Sequence, residues 1–206
     1  MARQRQQKRP RRTERSTGLV VTEGTVTEPE YVQKLAQELR KTSSIVTVKT
    51  VGSKDPDPMA VLSKAKALLE EARLADARYD WCCLVVDVDE HASLDECLRG
   101  AKKAGIWAVV SNLKFEVWLL WHHEETCTAF HTKELDRIMR QKGLMDGKHL
   151  TTSFPIAGYS QARHIAELRD REMRDCRMAG NPSSSFPVLL DLMVEGTACA
   201  ARHRRK

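Results

Sequence analysis

In the stretch Trp81-Cys-Cys-Leu-Val-Val-Asp87-Val-Asp89-Glu-His91, an unbroken apolar run leads into a cluster of charged and polar groups. A strand with one wet face alternates apolar and polar residues. A continuous apolar run of this length suits a strand covered on both faces. The same form recurs upstream in Gly18-Leu-Val-Val-Thr22, which precedes Glu23-Gly24-Thr25, and downstream in Ile106 to Val110, which precedes Ser111-Asn112. Between these runs the pattern turns helical. Thr27-Glu28-Pro29-Glu30 predicts a helix start, with Thr27 as N-cap, Glu30 reaching back to it and Pro29 tolerated in the first turn. Tyr31, Leu35 and Leu39 continue its apolar face. The β-branched segment Ile45 to Val51 predicts a further strand, Asp55-Pro-Asp-Pro58 a break, and the Ala/Leu/Lys-rich Met59 to Leu74 a helix. A second capping box, Ser93-Leu-Asp-Glu96, opens a helix that Gly105 ends, and Phe115 to His122 has helical character. The order βαβαβαβα predicts an α/β fold: a parallel sheet of about four strands, doubly wound by right-handed crossovers.

Residues 126–200 change in character. They are rich in Arg, Glu and Met and are broken at Phe154-Pro155, Gly180-Asn-Pro182 and Phe186-Pro187, and they read as a helical extension rather than more sheet. The expected organisation is a basic arm, 1–16, an α/β domain, 17–125, the extension, 126–200, and a basic tail, 201–206. The formal charge of +6 is divided unevenly. Seven Arg/Lys against one Glu lie in 1–16 and four more lie in 201–206, which leaves the body, 17–200, at −4. Basic tails on a mildly acidic body can touch phosphates or can simply be solvating arms. No apolar stretch reaches the length of about eighteen residues that a membrane span needs, and the N-terminus lacks the apolar core of a secretory signal. The six cysteines form no C-x-x-C pair and are expected to be reduced, mostly buried, in a cytoplasmic protein. Cys82 and Cys83, adjacent in a strand, should face opposite ways.

In a parallel sheet, sites form beyond the carboxyl ends of the strands. Glu23, Asp87 with Asp89, and Ser111 with Asn112 all fall there. Asp87 and Asp89, two apart on extended chain, project to the same side. Paired carboxylates repel unless a cation offsets them, and Mg²⁺ (or Mn²⁺) is held by one or two carboxylates, waters and substrate phosphate. Glu23 would serve as a further ligand or as a general base. In the plainer reading, Asp89 helps cap the following helix and Asp87 faces solvent. Glu116, at a helix start on the same edge, either joins the metal or complements the helix dipole. His91 could contact phosphate or orient water, or it could be an exposed loop residue. Trp118, Leu119 and Trp121 read as core. There is no G-x-x-x-x-G-K-[ST] and no G-x-S-x-G, which excludes a P-loop and argues against an α/β-hydrolase.

Five segments, in order, resemble the RloB family, also known as AbiLii-like proteins. Glu23-Gly24-Thr25-Val-Thr27-Glu28-Pro29-Glu30-Tyr31 is similar to its "EG-x-x-TE-x-x-Y" opening, and Gly52-Ser-Lys54-Asp55-Pro56 to its loop before the second helix. Asp87-Val-Asp89-Glu-His91 is similar to its "D-x-D-x-H" strand end, Ser111-Asn112-Leu113 through Leu120 to "SNP-x-FE-x-WLL", and Asn181-Pro182-Ser183 to an "NPS" turn. Leu113 stands where the family usually has Pro, and Val88 where Arg or Lys is commoner. The resemblance implies a Toprim-like fold that positions Mg²⁺ with Glu and D-x-D, a role in antiphage defence or abortive infection, and a neighbouring AAA-type ATPase as partner.

The reading that follows is a metal-dependent nuclease acting on DNA or RNA. Its metal and catalytic residues would be Glu23, Asp87, Asp89 and Glu116, with Lys54, His91 and Asn112 as possible phosphate or water contacts. The alternative is a non-catalytic Toprim-like component that binds nucleic acid or the ATPase. A haloacid-dehalogenase-like phosphatase fits less well, because that chemistry wants its D-x-D after the first strand.

Overall fold

The computed structural model describes residues 16–42, 46–88, 93–125 and 128–204. Four parallel strands lie at its centre: β1 (Thr17–Thr22), β2 (Thr47–Gly52), β3 (Trp81–Asp87) and β4 (Trp107–Asn112). They are joined by α1 (Thr27–Arg40), α2 (Pro58–Leu74) and α3 (Leu94–Lys103). The sheet order is β2-β1-β3-β4-β7, where β7 (Ser183–Ser184) is a short antiparallel fifth strand on β4. The three inner strands are buried almost throughout, as their unbroken apolar runs require. The edge strand β2 is only partly covered and mixes Thr and Lys with Val.

Side chains alternate between two cores. On one face Leu19, Val21, Cys82, Leu84, Val86, Ala108 and Val110 pack against α2 and α3. On the other, Val20, Cys83, Val85, Trp107 and Val109 pack against α1 and the later helices. Cys82 and Cys83 thus point to opposite faces, as expected. The described cysteines are all free thiols, and Cys127 lies outside the described residues.

The second core includes residues of α4 (Glu116–Leu120), α5 (Thr132–Gln141), α6 (Tyr159–Arg169) and α7 (Phe186–Glu195). Residues 126–200 therefore cover one face of the sheet. They are not purely helical: besides β7 they form a two-stranded hairpin, β5 (Met145–Asp146) and β6 (His149–Leu150). A short helix, α8 (Ala200–His203), follows α7 after a 3₁₀ turn.

Several local expectations are corrected. Residues Ser111-Asn112, placed by sequence beyond the run Ile106 to Val110, are part of β4, because Ser184 and Ser183 pair with them. Neither predicted capping box forms. Thr27 Oγ1 donates instead to the carbonyl of Lys148, at 2.7 Å. Ser93 Oγ donates to Asp57 Oδ1 at 2.5 Å, and Asp57 is itself the N-cap of α2, accepting from Met59 N–H. In each case a partner distant in sequence outcompetes the local one. The Asn112–Leu113 and Asn181–Pro182 peptide bonds are cis. No helix among the described residues is long and apolar enough to cross a membrane.

Candidate functional site

From β1 the chain crosses to β2 on one side, whereas β3 leads to β4 on the other. Between β1 and β3 the connections diverge, and such a switch point leaves a crevice at the carboxyl ends of the strands. Glu23 is the first residue beyond β1, and Asp87 is the last residue of the adjacent β3. The Glu23 N–H donates to Val85 O at 3.1 Å, which carries the ladder one step past the strand. The Glu23 carboxylate accepts the N–H of Asp87, also at 3.1 Å.

The Asp87 carboxyl is the electrostatic centre of this edge. Burial, followed by the charges of Glu23, Glu28 and Glu116, holds its pKa well above the usual carboxylate range. One donated N–H, from Phe115, works in the opposite direction. Glu28 and Glu116 are also raised, in both cases chiefly by burial. The backbone N–H groups of Glu28 itself and of Gly24, together with Lys148, offset part of the shift at Glu28. At Glu116 the main offset is Lys114, whose ammonium lies 3.9 Å away and is also bound to Asp136. Gly52 lets the end of β2 approach the Gly24 turn closely, since a Cβ there would meet Gly24 O and Thr25 Cα at 2.6 Å.

These groups surround a cleft of about 440 Å³. Asp87, Glu28 and Glu116 lie on its walls with Lys114, Asp136, Arg140 and Lys148. Among the described residues, no three His, Cys, Asp or Glu side chains converge into a metal cage. The donor chemistry nevertheless suits a hard divalent cation. The groups are carboxylate oxygens, burial and then the neighbouring carboxylates raise the Asp87 pKa, and Mg²⁺ needs only one or two such ligands.

Of the residues singled out from sequence, the fold gathers Glu23, Asp87 and Glu116 at one edge. Glu23 stands beside Asp87 rather than among the residues lining the cleft. Asp89 and His91 lie outside the described residues. Lys54 is exposed in the loop after β2. The Asn112 side chain donates to Ala179 O at 2.8 Å, towards the segment that leads into β7.

Sequence reasoning did not single out Glu28, Lys114, Asp136, Arg140 and Lys148. Glu28 sits five residues after Glu23 in the quoted opening element. Lys148 follows Gly147 in an Asp-Gly-Lys-His turn. Gly at the first central position, with φ of 61°, is the signature of a two-residue hairpin. Lys114 and Asp136 meet only through tertiary packing.

The family model described as RloB-like protein matches residues 18–193, from β1 into α7. No curated protein matches the chain.

Proposed function

The chain belongs to the RloB-like family, and from that premise we propose that it is a metal-dependent nuclease with a Toprim-like acidic edge, cleaving DNA or RNA phosphodiester bonds in antiphage defence. The observation that carries this reading is the Asp87 carboxyl, set at the switch point and crowded by Glu23, Glu28 and Glu116. Such crowding is costly unless a cation relieves it. Asp87 would hold Mg²⁺ or Mn²⁺ together with Glu116 or Glu28, with Asp89 as a further ligand. Bound there, the ion would supply Lewis-acid charge for the scissile phosphate. Glu23 fixes the backbone at Asp87 and stands close enough to act as a ligand or to take a proton from water. Lys114, tied to Asp136 and Glu116, holds a positive charge at the cleft wall, where charge on a phosphate would develop. An AAA-type ATPase partner belongs to the same reading and rests on the resemblance.

A non-catalytic binding module is the second reading. It is favoured by the carboxylates forming no closed cage among the described residues. Calorimetric titration of Mn²⁺ into wild type, Asp87→Asn and Glu28→Gln, with a cleavage assay on plasmid and RNA, separates the two. The expected outcome is a loss of roughly tenfold or more in Mn²⁺ affinity in Asp87→Asn, with cleavage down by about a hundredfold. Equal Mn²⁺ binding by wild type and Asp87→Asn would remove the metal site. Metal binding without cleavage would favour the binding module.

A further inference from the structure

Lys114 lies in the segment between β4 and α4, two residues before Glu116. Its side chain is 20% exposed and that of Glu116 18%. An ammonium held this far from water needs a counter-charge, and two carboxylates offer one. Glu116 Oε2 lies 3.9 Å from Lys114 Nζ, whereas Asp136 Oδ1 makes the closer contact and accepts a hydrogen bond from it. Asp136 belongs to α5, which Leu135 and Met139 anchor in the larger core. The place of its carboxylate is therefore set by helix packing and not by the Lys114 segment. All three charged groups line the cleft.

We propose that Asp136 is a positioning residue for the cation site: it neutralises Lys114 and draws it off Glu116, which leaves the Glu116 carboxylate to a divalent ion. The proposal rests on the metal-dependent reading and adds what sets the affinity of that site. A divalent ion on Glu116 and an ammonium 3.9 Å away compete for the same negative charge. The chain itself keeps Lys114 close, because one residue separates it from Glu116. Without Asp136, the lysine would close on Glu116 as its remaining counter-charge, and the ion would have to displace it. The electrostatics divide in the same way. Lys114 lowers the Glu116 pKa and Asp136 raises it. The lysine thus already does part of what a bound ion would do at this carboxylate, and Asp136 counteracts it.

The rival account is a direct effect, in which Asp136 attracts the ion as one more negative charge at the cleft. The two accounts differ in the part Lys114 plays. If Asp136 acts through Lys114, its removal matters only while the ammonium is there. If it acts directly, its removal matters with or without the lysine. The sign of the lysine's own effect is a second discriminator. Deleting the ammonium frees Glu116 and tightens the ion, which damage to the fold would not do.

The test is a double-mutant cycle on the full chain, read by calorimetric titration of Mn²⁺ into wild type, Asp136→Asn, Lys114→Met and the double variant. Circular dichroism checks the fold of each, and Lys114→Gln takes the place of Lys114→Met should the latter unfold. Asp136→Asn should weaken Mn²⁺ binding by about tenfold, the lower end of what residues supporting a metal site contribute. Lys114→Met, which keeps the apolar stem, should bind Mn²⁺ several times more tightly than wild type. The double variant should match Lys114→Met to within about twofold. Unchanged affinity in Asp136→Asn, or a loss as large in the Lys114→Met background as in wild type, overturns the proposal. Weaker binding by a folded Lys114→Met overturns it too. All three results leave the metal site standing, since Asp87→Asn tests that site separately. Absence of Mn²⁺ binding by wild type overturns the metal reading and this proposal together.

Discussion

Asp87 ends a strand whose preceding residues are buried and apolar, so its carboxyl sits where the core gives way to the cleft. Its folded pKa is raised above the unfolded value, so the folded state holds the proton more tightly. The fold is penalised once pH exceeds the ordinary carboxylate pKa, and the penalty grows until the folded pKa is passed. Asp87→Asn keeps the shape and removes the charge. The metal-free variant should melt higher than wild type at neutral pH, by about 2–4 °C for each kcal/mol relieved, and the gap should close in acid. A lower melting temperature at neutral pH would mean that the charge is already compensated. His122 has the opposite sign of shift. Its Nδ1 lies 3.0 Å from Trp118 O, and a carbonyl only accepts, so Nδ1 carries the proton. Nε2 then accepts from the Tyr31 hydroxyl at 2.9 Å. Burial draws the His122 pKa down to about 4. The unfolded chain takes up a proton near pH 6.5 and the folded chain does not, so stability falls as pH drops from about 6.5 to 4, by at most about 3 kcal/mol. Urea midpoints at neutral and mildly acid pH should reveal this loss, and His122→Gln should flatten it.

The inner strands and the helices between them were legible because their chemistry is local: unbroken apolar runs ending in charge and β-branched content each specify an element on their own. The gathering of Glu23, Asp87 and Glu116 followed from the rule that a parallel sheet collects its polar junctions at one end. The fifth strand was not legible. Ser183 and Ser184 carry no apolar period, and what makes them a strand is Ser111 and Asn112 opposite, with Ser111 Oγ 3.0 Å from Ser184 Oγ and Ser185 Oγ accepting from Val110 N–H. Thr27 and Ser93 failed as caps for the same reason, since Lys148 and Asp57 are better partners than their own helices. Glu28 was hidden in a helix start read only for its cap, Thr27 with Glu30. Its carboxylate instead accepts the Gly24 N–H, at 3.1 Å, and shapes the turn below the cleft. That turn depends on Gly52. In Gly52→Ala the new methyl must displace backbone at Gly24 and Thr25, since no side chain there can yield. A destabilisation of about 1–3 kcal/mol is expected, with Mn²⁺ binding weakened although Gly52 touches no carboxylate of the site. Calorimetry and urea denaturation on the same variant check both parts, and wild-type values in both would show that the turn is free to move.

Across the whole molecule, the face of the sheet carrying α1 is covered by helices drawn from beyond residue 126, and one buried carboxylate ties them together. Asp191 of α7 receives Arg163 Nη1 from α6 at 2.6 Å, and lies 2.7 Å from His203 Nε2 and 3.2 Å from Arg202 Nη2 of α8. Burial alone would raise its pKa, but the His203 and Arg163 hydrogen bonds outweigh burial and hold it far below the usual carboxylate range. The stability this confers is fully present above the unfolded carboxylate pKa and is lost as pH falls towards the lowered one. The segment at α8 is fastened further by Arg204, whose guanidinium lies 3.9 Å from the Trp107 ring centroid and donates to Gly105 O. The basic residues Arg202 and Arg204 therefore have intramolecular partners and are not simply a free phosphate-binding tail. Asp191→Asn keeps the volume but leaves Arg163 without its buried counter-charge. A loss of about 2–4 kcal/mol is expected, at the lower end because water still reaches Arg163 and Arg202. Tryptic cleavage after Arg202 and Arg204 should accelerate as α8 loosens. Because α6 and α7 share one core with β1, β3 and β4, the variant should unfold in a single transition, with tryptophan fluorescence and far-ultraviolet circular dichroism giving the same lowered midpoint. Two separated transitions, with the sheet outlasting the helices, would mean that residues 126–200 fold as a unit of their own against a finished α/β domain.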